Sequence, residues 1–260
     1  MSLTAHPIDS TDPHSHFVQL YDADERVLVE NVGKFLSDGL HLGGGLAIVS
    51  TADHRGAYLS ELKARGWRPD ELARDGRLDI LDAAETLAGF MIDGHPNAER
   101  FDRIVGTAVR SAVGRAGDPG LRAYGDMVGL LWMNRQYPAA IRLEQLWNKL
   151  RTQVPFSLMC GYPVDVFGEQ FDPGVLDAML CAHTHLLPAG KNGDLEHAVN
   201  RAMLEMLGTD EILARQTTGQ FRNVWAKIPT PEATILWLRK HMPDKADQVL
   251  ARAREYYKAS

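Results

Sequence analysis

Cysteine is scarce in this chain. Cys160 and Cys181 allow at most one disulfide, too few for a disulfide-stapled framework. No uninterrupted apolar run reaches the roughly 18 residues of a membrane span. The opening MSLTAHPIDSTDPHSH is polar and has no basic segment leading into an apolar one, so no secretory signal is expected. Positive charge is also short, with 28 Lys and Arg against 34 Asp and Glu, a net charge of −6. The deficit is uneven: residues 1–170 hold 17 basic and 23 acidic side chains, and residues 171–260 hold 11 of each. Phosphate contacts dominate nucleic-acid affinity and need clustered basic groups. DNA binding is therefore not expected, although the neutral tail leaves room for a small basic face. The expectation is a cytoplasmic protein without membrane association and with both thiols reduced.

What is present is a globular composition. Hydrophobic residues make up 45% and charged residues 24% of 260, enough for a substantial core in one large domain or one domain with an appendage. His16–Tyr21 is rich in strand formers. Asp22–Glu25 signals a helix start, and apolar residues from Val27 to Leu40 recur at helical spacing. Gly43–Gly45 reads as a helix-to-strand turn, and Leu46–Ser50 as a strand covered on both faces. A helix near Arg55–Arg65, a strand at Leu78–Leu81, a helix over Asn97–Val113, a strand-like run over Leu121–Met127 leading into GLLWM, a helix over Pro138–Leu150 and a strand over Phe156–Tyr162 follow. This alternation predicts an α/β fold, a mostly parallel sheet flanked by helices. After Phe167 the pattern changes at Gly168–Gly174. Helices are expected near 175–187, 194–207, 209–225, 231–241 and 244–257, an all-helical C-terminal extension over 169–260.

The segments HFVQLYDADERVLVENVGKFLSDGLHLGGGLAIVSTADHRGAYLSELKARGW, GRLDILDA, LRAYGDMVGLLW, LEQLWNKL and FSLMCGYPVDVF together resemble the MEDS domain, the methanogen/methylotroph DcmR-type sensory domain, over residues 14–168. The resemblance implies a RecA/KaiC-like fold that has lost its nucleotide-binding motifs. It also implies a sensory role in signal transduction or transcriptional control, with hydrocarbon derivatives as ligands.

The residues themselves test the loss of nucleotide binding. A P-loop follows a strand with G-x-x-x-x-G-K-[ST], whose glycines let backbone N–H groups approach phosphate. Here His16–Tyr21 is followed by Asp-Ala-Asp-Glu-Arg-Val. There is no glycine, and three carboxylates oppose a triphosphate. Gly33-Lys34 lies inside the expected helix, and Gly43–Gly45 precedes its strand. Walker-type ATP hydrolysis is not expected, and no cofactor is.

Ligands of open parallel sheets sit beyond the carboxyl ends of the strands. That rule selects Tyr21 and Asp22, Ser50 and Thr51, Asp82, Asp126, and Cys160 to Tyr162 as ligand-binding candidates. Asp22 and Asp82 equally suit helix or turn caps. Asp126 stands where a Walker-B carboxylate would, and without a P-loop it makes hydrogen bonds or holds a polar ligand. Trp132 and Trp147 read as core rather than pocket walls. Cys160 reads as a small buried strand residue, since no spacing fixes a base beside it. Within Cys181-Ala-His-Thr-His185, a helix would put 181 and 185 on one face and 183 on the other. Two ligands are too few for a structural zinc, so no metal is expected. His14 and His16 are further donors that the spacing alone does not connect to them.

No kinase motif is seen. The tail carries Arg239, Lys240, Lys245, Arg252, Arg254 and Lys258, interrupted by Glu232, Asp244, Asp247 and Glu255. Trp225, Ile228, Ile235, Leu236, Trp237 and Leu238 give it apolar surface to bury, as in a helical packing or dimerisation module. The favoured reading is a non-catalytic sensor of a small organic ligand, with a signalling partner and a homodimer left open. Its rivals are an interaction module docking a kinase or regulator through the tail, and an enzyme using Cys160 or Asp126.

Overall fold

The computed structural model describes residues 8, 12, 14–118, 120–190, 193–218 and 226–260, with backbone alone over 209–218. In chain order the elements are β1 (His16–Tyr21), α1 (Arg26–His41), β2 (Gly45–Ser50), α2 (Ala52–Ala64), α3 (Pro69–Arg74), β3 (Leu78–Asp82), α4 (Ala83–Phe90) and a short hairpin of β4 (Met91–Ile92) and β5 (His95–Pro96). Then come α5 (Ala98–Phe101), a π-helical turn (Asp102–Gly106), α6 (Thr107–Ala116), β6 (Leu121–Gly125), α7 (Met127–Met133), α8 (Tyr137–Arg151) and β7 (Phe156–Pro163). The tail adds α9 (Pro173–Ala182), β8 (His185–Leu186), α10 (Asp194–Thr218), α11 (Thr230–His241) and α12 (Pro243–Lys258). Trp225 lies outside the described residues.

The main sheet has six strands in the order β3-β2-β6-β7-β1-β8, and β3, β2, β6 and β7 run parallel. The expected α/β architecture, a mostly parallel sheet with helices on both sides, is what the chain forms. Every residue of β2 is buried, as its unbroken apolar run requires of a strand covered on both faces.

The chain divides into two compact units. One comprises Met1–Val18 and Leu28–Pro163, and the other Gln19–Val27 and Val164–Ser260. In the first, strand alternation sends Tyr124 toward Tyr58 of α2, and Arg122 toward the Phe35 carbonyl of α1 at 2.8 Å. Phe17 packs edge-on against Phe35 on this face, with ring centres 5.7 Å apart. The opposite face of the sheet carries Cys160 and Tyr162, which meet Glu144 of α8.

Trp147 and Trp132 are both core residues. Trp147 packs edge-on against Phe101 at 5.3 Å, and Trp132 against Tyr162 at 5.1 Å. The Gly43–Gly45 turn has Gly43 at φ 91°, and Gly45 N–H donates to the Gly120 carbonyl at 3.1 Å.

Two elements differ from expectation. The strand expected over Leu121–Met127 ends at Gly125, and Met127 already opens helix α7, which takes in GLLWM. A short apolar run fits either state, and Gly129 lets the helix lie against the end of β7. A Cβ there would sit 2.7 Å from the Gly161 carbonyl oxygen. Gly129→Ala should therefore cost about 1–3 kcal/mol through overpacking. Urea unfolding checks this, and a change within about 0.5 kcal/mol, the ordinary range for a surface substitution, would show that the contact yields freely.

The second difference is in the second unit. Its helix ends at Ala182 rather than near 187, because the chain turns out to pair. Lys227 N–H donates to Thr184 O at 2.8 Å, and Leu186 N–H to Lys227 O at 2.9 Å. Among the described residues the extension thus carries β8 beside its helices. Cys181 and His185 do not share a helix face, since His183 is the extended cap of α9, its Nδ1 2.7 Å from the Met179 carbonyl oxygen.

In the same unit Arg239 donates to the Phe167 and Gly168 carbonyls and pairs with Asp247. Arg252 pairs with Glu205 and Glu255, and Arg254 with Asp165.

Candidate functional site

Strand register sets the carboxyl edge of the sheet in the first unit. Ser50 pairs with Asp82, Val49 with Gly125, and Gly125 with Cys160. Ser50, Asp82 and Asp126 therefore stand at the ends of three adjacent strands.

Asp126 is 3% exposed and collects three donors. Its Oδ2 accepts from the Thr51 backbone N–H at 3.0 Å and lies 2.9 Å from His54 Nδ1. Its Oδ1 accepts from the Tyr124 hydroxyl at 2.6 Å. A carboxylate only accepts, so the His54 tautomer that satisfies it carries its proton on Nδ1. The Tyr124 oxygen accepts in turn from Tyr58 at 2.8 Å. Burial first, then the charge of Asp126, push the Tyr124 hydroxyl pKa well above its ordinary value. Thr51 also caps α2, its side chain accepting from the His54 N–H. Ser50 is fully buried, and its Oγ has no hydrogen-bond partner among the described residues. Asp82 caps α4 through the Ala84 and Glu85 N–H groups and lies 3.5 Å from Arg55. Its capping role, open on sequence, is thus filled.

Cys160 and Tyr162 are also buried, but they face α8 instead. Glu144 Oε1 accepts from the Tyr162 hydroxyl at 2.7 Å, and Glu144 Oε2 is 3.8 Å from Cys160 Sγ. His16 Nε2 lies 3.5 Å from both Cys160 Sγ and Glu144 Oε2. Burial and the Glu144 carboxylate hold the Cys160 thiol well above its ordinary pKa. The thiolate is the nucleophile, so this environment disfavours attack by Cys160.

Tyr21 and Asp22 belong to the second unit. Asp22 is exposed and closes a turn by accepting from the Asp24 N–H at 2.8 Å. A cleft of about 300 Å³ lies between α5 and the end of α8, walled by Phe101, Asp102, Lys149 and Gln153 among others, and contains none of the sequence candidates.

The structure thus gathers Ser50, Thr51 and Asp126, and adds His54, Tyr58 and Tyr124. It gathers Cys160 and Tyr162 separately, and adds Glu144 and His16. Glu144 left a trace in the sequence: it occupies the buried stripe of α8 with Ala140, Trp147 and Arg151, where an apolar residue is the rule. His54 left only its place at the third position of a Thr-capped helix.

These features define a mostly parallel α/β protein with two clusters of buried polar side chains, one at the carboxyl edge of the sheet and one under α8. The chain belongs to the MEDS family, the methanogen/methylotroph DcmR sensory domain, whose family model matches residues 15–184. No curated protein matches it. Among the described residues no helix is long and apolar enough to cross a membrane.

Proposed function

We propose that this chain is a non-catalytic sensor in bacterial signalling or transcriptional control, taking a small organic ligand at the sheet edge formed by Ser50, Thr51 and Asp126. The observation that carries this reading is the buried Ser50 hydroxyl, which has no partner among the described residues, beside the hydrogen-bonded Asp126. A buried polar group without a partner costs free energy that a ligand can return. Membership of a sensory family supports the reading. Two further observations are consistent with it. The β1–α1 turn has three carboxylates and no glycine, which suits a RecA/KaiC-like core degenerate at its nucleotide site. Arg239, Arg252 and Arg254 of the tail are engaged with carboxylates or carbonyls rather than arrayed for phosphate.

Native mass spectrometry of the freshly purified chain, beside its denatured mass, tests the reading. The expected result is an organic mass lost on denaturation. For an empty chain, thermal shifts with small polar and hydrocarbon-derived compounds should give a hit. A ligand at 100 times its Kd stabilises by about 2.7 kcal/mol, and Ser50→Ala should weaken that gain. A bare mass with no stabilising compound would sink the proposal, and so would a retained nucleotide.

A further inference from the structure

The second cluster, under α8, is not explained by the sheet-edge site. His16, Glu144 and Cys160 are all fully buried. Their three facing atoms form a triangle with sides of 3.5, 3.5 and 3.8 Å. Zinc bond lengths of about 2.0–2.2 Å to N and O, and about 2.3 Å to S, place tetrahedral ligands about 3.3–3.6 Å apart. The triangle matches that face within a few tenths of an ångström.

The tautomer of His16 is fixed independently. Asn148 Oδ1 lies 3.0 Å from His16 Nδ1 and also accepts from Arg151 Nη1 at 2.9 Å. An atom that accepts from a guanidinium is the amide oxygen, so it accepts from Nδ1–H as well. In the neutral ring, Nε2 then turns its lone pair toward Glu144 and Cys160. A cation at the centre would take Nε2, the thiolate and the carboxylate oxygen as ligands. The outer contacts match a metal's supporting shell too: Tyr162 holds the other Glu144 oxygen, and Asn148 orients the imidazole.

We propose that His16 Nε2, Glu144 Oε2 and Cys160 Sγ are ligands of one divalent ion of the zinc class, with the fourth position left to a donor outside this trio. On binding, the Cys160 S–H bond is replaced by an S–metal bond and the proton passes to solvent. Thiolate and carboxylate then balance the ion's two positive charges. The S/N/O donor set selects this class over Mg²⁺ and Ca²⁺, which prefer all-oxygen sites. The proposal does not depend on the organic ligand.

The test uses the full chain, stripped with a chelator and titrated with Zn²⁺ and, for its spectrum, Co²⁺. One ion per chain is expected, with a thiolate-to-cobalt charge-transfer band. The band should vanish in Cys160→Ala and persist in Cys181→Ala. Glu144→Gln keeps the side-chain shape and should bind more than about 100-fold more weakly, whereas Asn148→Ala, acting through His16, should lose about 10–100-fold. Circular dichroism establishes that each variant is folded, and the wild-type stoichiometry and band need no variant at all. The absence of a stoichiometric ion, a band that follows Cys181, full affinity in Glu144→Gln, or displacement by equimolar Mg²⁺ would each overturn the assignment.

Discussion

Asp126→Ala is expected to lose about 3–5 kcal/mol of stability, because three buried donors lose their acceptor at about 1–3 kcal/mol each. The reason is the number of groups that converge on this carboxylate. The Thr51 N–H, the Tyr124 hydroxyl and His54 Nδ1 all lie within 3.0 Å of its oxygens. Alanine would leave all three without an acceptor in a dry setting, where each unpaired donor costs about 1–3 kcal/mol. The loss would spread, because Tyr58 is held through Tyr124. Asp126→Asn separates shape from chemistry. It keeps one oxygen for Tyr124 but turns an NH₂ toward His54 and Thr51, so about 1–3 kcal/mol is expected from the donor–donor conflict. Urea unfolding of both variants beside wild type checks the order. An Asp126→Ala protein within about 1 kcal/mol of wild type, no worse than an average point mutation, would mean that the network is not the support of this edge.

That network shows which parts of the molecule the sequence reveals. Ser50, Thr51 and Asp126 are legible because strand-end position follows from element order alone. LAIVS and LRAYG are short runs bounded by glycine or polar residues, and each ends where a parallel sheet presents its edge. His54, Tyr58 and Tyr124 are not legible in the same way. Their partnership spans 66 to 72 residues, and nothing local marks a tyrosine that hydrogen-bonds a tyrosine on the next layer. His16 is the harder case. It opens a strand otherwise built from apolar residues and one glutamine, and only the pairing of that strand beside β7 brings it to Cys160. The tail fails for a different physical reason. Periodicity continues the helix through His183 and His185, but hydrogen bonds to Lys227, more than 40 residues away, outweigh the local preference. The π-helical turn at Asp102–Gly106 likewise has no composition of its own, and sequence pattern merges it with its flanking helices.

Raising the pH from 4.5 to 8 should weaken the fold through one residue of the tail, Glu232. It is fully buried on α11, and its Oε1 accepts from the Ala189 N–H at 2.7 Å. Its Oε2 has no hydrogen-bond partner among the described residues. Burial pushes its pKa up from 4.5 to about 7. The Ala189 and Glu232 N–H groups work against that shift, and the charge of Glu196 on α10 adds to it. Tyr257 on α12 is close enough for its own pKa to be raised in part by Glu232. An acid whose pKa is raised on folding holds its proton more tightly in the folded chain. The folded form therefore binds more protons than the unfolded one between pH 4.5 and about 7, so stability falls across that window and levels off above it. At about 1.36 kcal/mol per pKa unit, the gap corresponds to about 3 kcal/mol. Glu232→Gln retains the oxygen that accepts from Ala189 but cannot ionise. It should match wild type near pH 4.5 and exceed it by up to about 3 kcal/mol at pH 8. Paired urea titrations at the two pH values read the difference directly. A gap between variant and wild type that stays constant with pH would show that Glu232 does not ionise across this range, or that it reaches water when it does.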